Sequence, residues 1–319
     1  MTRPGGDRRV RAVFFGSGPF AIGSLRRVAE HPDVDLVGVV TAPARPSGRR
    51  KVPTPTPVAV AAHELGEGPV LTPARLRDPE VIASILALDP ALAVLADYGQ
   101  LVPEELLALR HGALNLHPSL LPRHRGATPI PAAILAGDLE TGVTLFRMDR
   151  GLDTGPIVAQ EAVALAPGVT APELEARLAA MAPDVLERSL ARWLAGGLEA
   201  TPQPTDGATN TRPLRRDDGR LDPRRPAVEL ERAVRAYRPW PGTFVLGPTG
   251  RLAVLKAVVR PSRQGDKEGT FVADDDGLAI ATRDGRLVLE QVQPAGGRPM
   301  RGSAYRRGRA SIVGSPVGS

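Results

Sequence analysis

The chain has 319 residues, no cysteine and a formal net charge of +6. The missing cysteines exclude thiol catalysis, disulfides and cysteine-ligated zinc and fit a reducing cytoplasm. No apolar run approaches the ~18 residues of a membrane span. A length of this order predicts two domains of ~100–200 residues, each able to bury a core without a metal or disulfide staple.

Charge is unevenly placed. Residues 205–319 hold 21 Lys and Arg against 13 Asp and Glu, a net of +8, which leaves −2 for residues 1–204. A basic second module can attract a polyanion, or can simply be a solvated, arginine-rich surface. Residues 1–11 are polar and arginine-bearing and lack the apolar stretch of a secretory signal.

In chain order, Val10–Phe15 reads as a buried strand ending in Gly16-Ser17-Gly18, with a helical pattern through Arg27. The glycines leave two readings open. One is a nucleotide-phosphate turn, with Asp33 and Asp35 near the offset of a ribose contact; the other is a tight turn opening a Rossmann-like sheet, which Pro19 favours. Val34–Val40 is the next strand. The loop from Thr41 to Pro53 follows, carrying Arg45, Arg49, Arg50 and Lys51. It is either an exposed connection or a phosphate grip at the ligand side of the sheet. Helices are predicted at Pro57–Leu65, Pro79–Leu88, Pro103–Leu109 and Pro129–Ala136, and strands at Ala91–Ala96, Ala113–His117 and Gly142–Met148. This alternation argues for α/β architecture, a mainly parallel sheet covered on both faces. Glu173–Trp193 is a long amphipathic helix with Leu174, Leu178, Met181, Val185 and Leu186 near one face.

Residues 200–226 are rich in Pro, Thr, Asp and Arg without hydrophobic period, which predicts a linker. The expected division is a catalytic domain over 1–199, the linker 200–226, and a second domain over 227–319. A helix at Val228–Tyr237 is followed by short strands split by Gly and Asp: Thr243–Leu246, Leu252–Val259, Gly269–Val272, Leu278–Ala281 and Leu287–Val292. Such spacing predicts a small all-β, OB-like barrel, and the tail after Gly308 is expected to fray.

The chemistry concentrates between Asn115 and Asp153. Asn115 and His117, two apart on an extended segment, point to one side. Pro118 and the Leu121-Pro122 corner turn the chain off the sheet just after His117, and Gly151 and Gly155 flank Asp153. An amide donor, an imidazole and a carboxylate together suit attack of an amine on a carbonyl, with the oxyanion held while protons move. A satisfied polar pair at a strand end is the plainer alternative.

At these residues the chain resembles a known family. Asn115-x-His117-Pro-Ser-Leu-Leu-Pro-x-x-Arg125-Gly126 followed by Leu152-Asp153-Thr-Gly155 is similar to the signature of formyltransferases that use 10-formyltetrahydrofolate. Within that group the likeness is to the methionyl-tRNA formyltransferase family. Arg45-Pro-Ser-Gly48-Arg-Arg-Lys51, Asp97-Tyr98-Gly99-Gln100-Leu101-Val102-Pro103, Arg235-Ala-Tyr-Arg-Pro-Trp240-Pro241-Gly242 and Gln293-Pro294-Ala-Gly296 support the narrower likeness. The resemblance implies formyl transfer from 10-formyltetrahydrofolate to the methionine α-amine of initiator methionyl-tRNA, for translation initiation. It also implies a cytoplasmic, monomeric enzyme with folate and initiator methionyl-tRNA as partners, no membrane and no metal. The implied catalytic residues are Asn115, His117 and Asp153, with protonated His117 facing the oxyanion. Ser119, Leu120, Leu121, Pro122, Tyr98 and Gly99 are implied to meet the folate, and Arg45, Arg49, Arg50 and Lys51 the tRNA. Asp97 stands where small or apolar residues are usual, and Pro223 where an aromatic is expected. The signature is shared by relatives acting on other amines, so a formyltransferase for a sugar nucleotide or small amine, a non-catalytic RNA-binding relative, and hydrolysis of formyl-folate remain as alternatives.

Overall fold

The structure is a computed structural model that describes residues 9–47, 52–275 and 277–318. The chain divides into two compact units. The first comprises Met1–Pro129, Glu140–Ala164 and Glu175–Thr211; the second comprises Ile130–Leu139, Leu165–Leu174 and Arg212–Ser319.

In chain order the first elements are β1 (Val10–Gly16), α1 (Ile22–Glu30), β2 (Val34–Val40), β3 (Arg45–Ser47), β4 (Val52–Thr54), α2 (Pro57–Leu65), β5 (Val70–Leu71), α3 (Pro79–Leu86) and β6 (Leu92–Ala96). Then come α4 (Glu104–Leu107), β7 (Ala113–His117), β8 (Arg125–Gly126), α5 (Pro129–Ala136), β9 (Glu140–Arg147), β10 (Ile157–Ala164), α6 (Ala171–Leu194) and β11 (Asn210–Thr211). The large sheet runs β10-β9-β7-β6-β1-β2-β5. From β7 to β5 it is parallel, and β9 and β10 continue it antiparallel. β1 and β6 are continuous apolar runs because helices cover both faces of a parallel strand, and Ala12–Phe15 and Leu92–Ala96 are buried accordingly. β10 was not predicted: its residues alternate half-buried and exposed at the sheet edge, with Glu161 and Gln160 interrupting the apolar pattern.

Strand order reverses between β1 and β6, the place where open α/β sheets bind ligands. Gly16-Ser17-Gly18 lies at the end of β1 there, and Asp97 directly follows β6. The Ser17 N–H donates to Asp97 O at 3.0 Å, and the Ser17 hydroxyl accepts from Ala42 N at 3.1 Å. A Cβ at Gly18 would lie 1.7 Å from Asp97 Oδ2, so glycine is required for this approach. The turn is thus occupied by the chain's own carboxylate and serves the sheet, which settles its two readings against a phosphate site.

The second unit continues with α7 (Ala227–Ala236), β12 (Thr243–Gly247), β13 (Gly250–Arg260), β14 (Phe271–Asp274), β15 (Gly277–Ala281), β16 (Arg286–Pro294), β17 (Met300–Arg301) and α8 (Gly302–Arg307). β12-β13-β16-β15-β14 form an antiparallel sheet, with β17 pairing β16. Leu230, Ala233 and Val234 of α7 recur at helical spacing and pack on the core with Val254, Phe271 and Leu289. Buried Arg286 is neutralised by Asp266 and Asp274, as a charge in a core must be. The tail does not fray. Ile312 and Val317 are buried, Phe271 N donates to Ser315 O at 3.0 Å, and Gly318 N donates to Leu246 O at 2.8 Å. Two apolar side chains and these backbone bonds outweigh its glycine- and serine-rich composition.

Candidate active site

β7 delivers Asn115 and His117 to the carboxyl edge of the sheet. Its neighbours Leu114 and Leu116 are buried on the other face, as period two requires. Pro118 ends the strand, and the chain then doubles back through Ser119–Pro122. That corner is held from β9. The fully buried Thr144 hydroxyl donates to Ser119 O at 2.6 Å and accepts from Leu121 N at 3.1 Å and from Gln160 Nε2 at 2.8 Å. The Leu121–Pro122 peptide is cis.

The corner returns His124 to the imidazole. His117 Nε2 lies 2.9 Å from His124 O. A carbonyl only accepts, so Nε2 carries the proton and Nδ1 holds the free lone pair. Nδ1 faces Asp153 Oδ2 at 3.6 Å. His117 is 5% exposed. Burial lowers its pKa below the ordinary imidazole value; the Asp153 charge and the His124 carbonyl bond pull it up, and the His124 ring pulls it down. The net direction is down, which favours the neutral ring. Burial therefore opposes the imidazolium expected from sequence, because a charged ring is disfavoured where water is excluded.

Asp153 adopts a left-handed backbone, φ +53°. Its Oδ2 accepts from Gly126 N at 2.7 Å. Asp149 closes the loop beneath it, accepting from Gly151 N at 2.9 Å and Thr154 Oγ1 at 2.7 Å. Gly155 is obligatory here, since a Cβ would stand 1.8 Å from Arg147 O. The structure thus brings His117 and Asp153 together beside Asn115. The Asn115 side chain is half-buried, and no hydrogen bond among the described residues engages it.

The other predicted residues are placed unevenly. Ser119 is fully buried and its hydroxyl donates to Arg123 O at 2.7 Å, so it shapes the corner. Leu121 is buried, Leu120 and Pro122 are half-buried, and Gly99 is exposed. Tyr98 meets Phe15 edge-on at 5.4 Å; its hydroxyl is buried without a partner among the described residues, and desolvation pushes its pKa up to about 12. Asp97, φ +50°, keeps an edge open to solvent. The packed strand ends nonetheless strip water from its carboxyl and raise its pKa, against the Gly18 N–H bond, which lowers it. Glu175 on α6 is raised by its own burial and then by the Asp97 charge. Arg45 is exposed at the start of β3, which pairs antiparallel with β4; Arg49, Arg50 and Lys51 lie outside the described residues.

Sequence reasoning missed Thr144, Gln160 and Gln203. Gln203 sits in the segment read as a linker, where Pro-Gln-Pro gives no period to read. Yet that segment lies on the site: Thr201 pairs with Ile157, β11 pairs parallel with β8, and Thr209 Oγ1 accepts from His124 N at 2.8 Å. A cleft of about 470 Å³ opens beside it, lined by Arg125, Asp149, Thr154, Gln203 and Thr205 among others, and none of Asn115, His117 and Asp153 lines it. Among the described residues no group of three His, Asp or Glu could hold a metal, and no helix is long and apolar enough to cross a membrane.

Residues 10–190 match the family described as formyl transferase, and residues 213–310 match its C-terminal domain. A methionyl-tRNA formyltransferase of Roseiflexus castenholzii is 43% identical over 311 residues, covering 97% of this chain and 99% of the relative. One from Halorhodospira halophila is 44% identical over 310 residues, covering 96% and 99%. Among solved structures, the N-formyltransferase from Helicobacter canadensis, in complex with folinic acid and dTDP-3-aminofucose, aligns with TM-score 0.63 at 16% identity, over 88% of this chain and 98% of that one. HypX from Aquifex aeolicus, in complex with tetrahydrofolic acid, aligns with TM-score 0.60 at 17% identity, over 96% of this chain and 48% of that one. At such identities the structural likeness speaks for the fold.

Proposed function

The chain belongs to the methionyl-tRNA formyltransferase family, and from that premise we propose that it moves a formyl group from 10-formyltetrahydrofolate to the α-amine of initiator methionyl-tRNA in the cytoplasm. The observation that carries the chemistry is the buried His117–Asp153 pair, 3.6 Å apart, beside a half-buried Asn115. The acceptor is supported by relatives matching nearly the full length, both family regions included.

The folate is a co-substrate that supplies the formyl carbon. The residues then act as follows. As the neutral amine adds to that carbon, the Asn115 amide donates to the oxygen that gains charge. His117 Nδ1, unprotonated at the start, takes the proton from the attacking nitrogen. Asp153 stabilises the imidazolium by its charge. His117 then returns the proton to the folate nitrogen as the carbon–nitrogen bond breaks, leaving formylmethionyl-tRNA, tetrahydrofolate and a neutral imidazole. Ser119–Pro122, clamped by Thr144, and Tyr98-Gly99 form the folate side. Arg45, Arg49, Arg50 and Lys51 engage the acceptor end of the tRNA, and the basic residues of 205–319 meet its backbone.

The test is transfer of labelled formyl from 10-formyltetrahydrofolate to methionyl-initiator tRNA, with uncharged tRNA, an amino-sugar nucleotide and water as competing acceptors. Label only on the charged tRNA is expected. Label on the sugar nucleotide, or free formate without an acceptor, would reassign the substrate.

A further inference from the structure

Gln203 makes contacts out of proportion to its place in an unpatterned segment. Its Nε2 donates to Asp153 O at 2.8 Å and to Gly155 O at 2.7 Å. Its Oε1 accepts from Arg125 Nε at 3.0 Å and from Arg125 Nη2 at 2.7 Å. The amide orientation is unambiguous, because guanidinium groups only donate and carbonyls only accept. Both amide hydrogens and both oxygen lone pairs are used, so Gln203 has nothing left with which to hold a ligand.

These bonds close a ring around Asp153. The residue after Arg125 is Gly126, whose N–H binds Asp153 Oδ2 at 2.7 Å. Asp153 is therefore gripped at its main-chain oxygen by Gln203 and at its carboxylate by Gly126, and Arg125 joins the two grips. A non-glycine residue at φ +53° persists only where its surroundings over-determine it. We infer that Gln203 is a positioning residue for formyl transfer, holding the Asp153 loop so that the carboxylate faces His117. Asparagine is too short to span the ring, and glutamate lacks the two donors. Thr209 and Thr211 brace the segment that carries Arg125: Thr209 Oγ1 accepts from His124 N at 2.8 Å, and Thr211 Oγ1 donates to Arg125 O at 2.9 Å and accepts from Thr128 N at 3.0 Å.

The test is a double-mutant cycle on the full chain with Gln203→Ala and Asp153→Asn. Gln203→Ala is expected to lower kcat roughly 10- to 100-fold, the scale of misplacing a catalytic group by an ångström or less. KM for both substrates should stay within about twofold, because the polar atoms of the side chain are all engaged within the protein. In the Asp153→Asn background the same change should cost almost nothing, since a residue that acts through Asp153 has nothing left to act through. Losses that multiply, or a kcat near that of the parent, overturn the inference. Gln203→Met, which fills the same volume without polar atoms, carries the same test if the alanine variant unfolds.

The kinetic arm rests on the formyl-transfer reading, so a second arm needs no substrate. The chain has five histidines, which makes NMR titration of His117 tractable. Gln203→Ala should lower the His117 midpoint where Asp153 is present and leave it unchanged in Asp153→Asn. An unchanged midpoint in the first background, or equal shifts in both, refutes the positioning role even if the acceptor proves to be something else.

Discussion

Replacing Thr144 by valine removes one hydroxyl while keeping the shape of the side chain. The hydroxyl serves three groups: Ser119 O, Leu121 N and Gln160 Nε2. Gln160 is exposed on β10 and can turn its amide to water. The other two are main-chain groups in the buried corner and cannot. Stranding a buried donor or acceptor costs about 1–3 kcal/mol each, so for two groups the loss should be about 2–6 kcal/mol. A cost of this size should move the urea midpoint clearly, with m unchanged because the surface exposed on unfolding is unchanged. Loosening Ser119–Pro122 should also raise KM for the folate more than KM for the tRNA. Urea unfolding followed by tryptophan fluorescence, with steady-state kinetics on the same preparations, measures both. A loss under about 0.5 kcal/mol, the range of ordinary surface substitutions, would refute the view that Thr144 holds the corner.

Asn115→Ala is expected to lower turnover roughly 100- to 1000-fold with folding intact, the usual cost of losing one oxyanion donor; near-normal single-turnover rates would remove Asn115 from the mechanism. Asp97→Asn is expected to stabilise the protein at pH 7. Because the folded pKa of Asp97 is raised, the unfolded chain loses this proton first, and stability falls as pH rises from the ordinary carboxylate range through the folded pKa. The advantage of the Asp97→Asn variant over the parent should thus vanish toward pH 4 and grow as pH rises toward 7, and a constant difference in urea midpoint across that window would contradict the assignment. Affinity for the charged tRNA should fall steeply with salt. If three to four phosphates are met, the fall between about 50 and 200 mM is on the order of 100-fold, and filter binding that is flat over this range would argue against a phosphate-led interface.

Much of the fold was legible because its signals are local. Proline at the first turn and a breaking glycine or aspartate mark α2 and α3, and the continuous apolar runs of β1 and β6 announce a sheet covered on both faces. Asn115 and His117 were legible through period two and the proline that follows them. Asp153 was legible through its flanking glycines, of which Gly155 proves sterically necessary. Edge strand β10 was not, because a strand half open to water shows too little apolar alternation. Gln203 and Thr144 were not, because their value lies in hydrogen bonds to groups far along the chain, and a polar side chain carries no mark of its distant partner. Sequence and structure point different ways on the protonation of His117 for a related reason. Sequence shows the carboxylate that would charge the ring but not the burial that opposes it.

The most direct test of the account is the pH dependence of single-turnover formyl transfer to methionyl-tRNA, enzyme in excess, for the parent chain and for His117→Ala. If neutral His117 is the base, the parent rate rises with pH through two ionisations. The lower belongs to His117 and lies below the ordinary imidazole value; the upper belongs to the attacking amine, near the ~7.7–8.0 of free α-amines or below it. His117→Ala should lose the lower step and keep the upper. A parent rate that falls as pH rises through the His117 ionisation would show that the imidazolium is the working form, and would contradict the mechanism drawn from the buried pair.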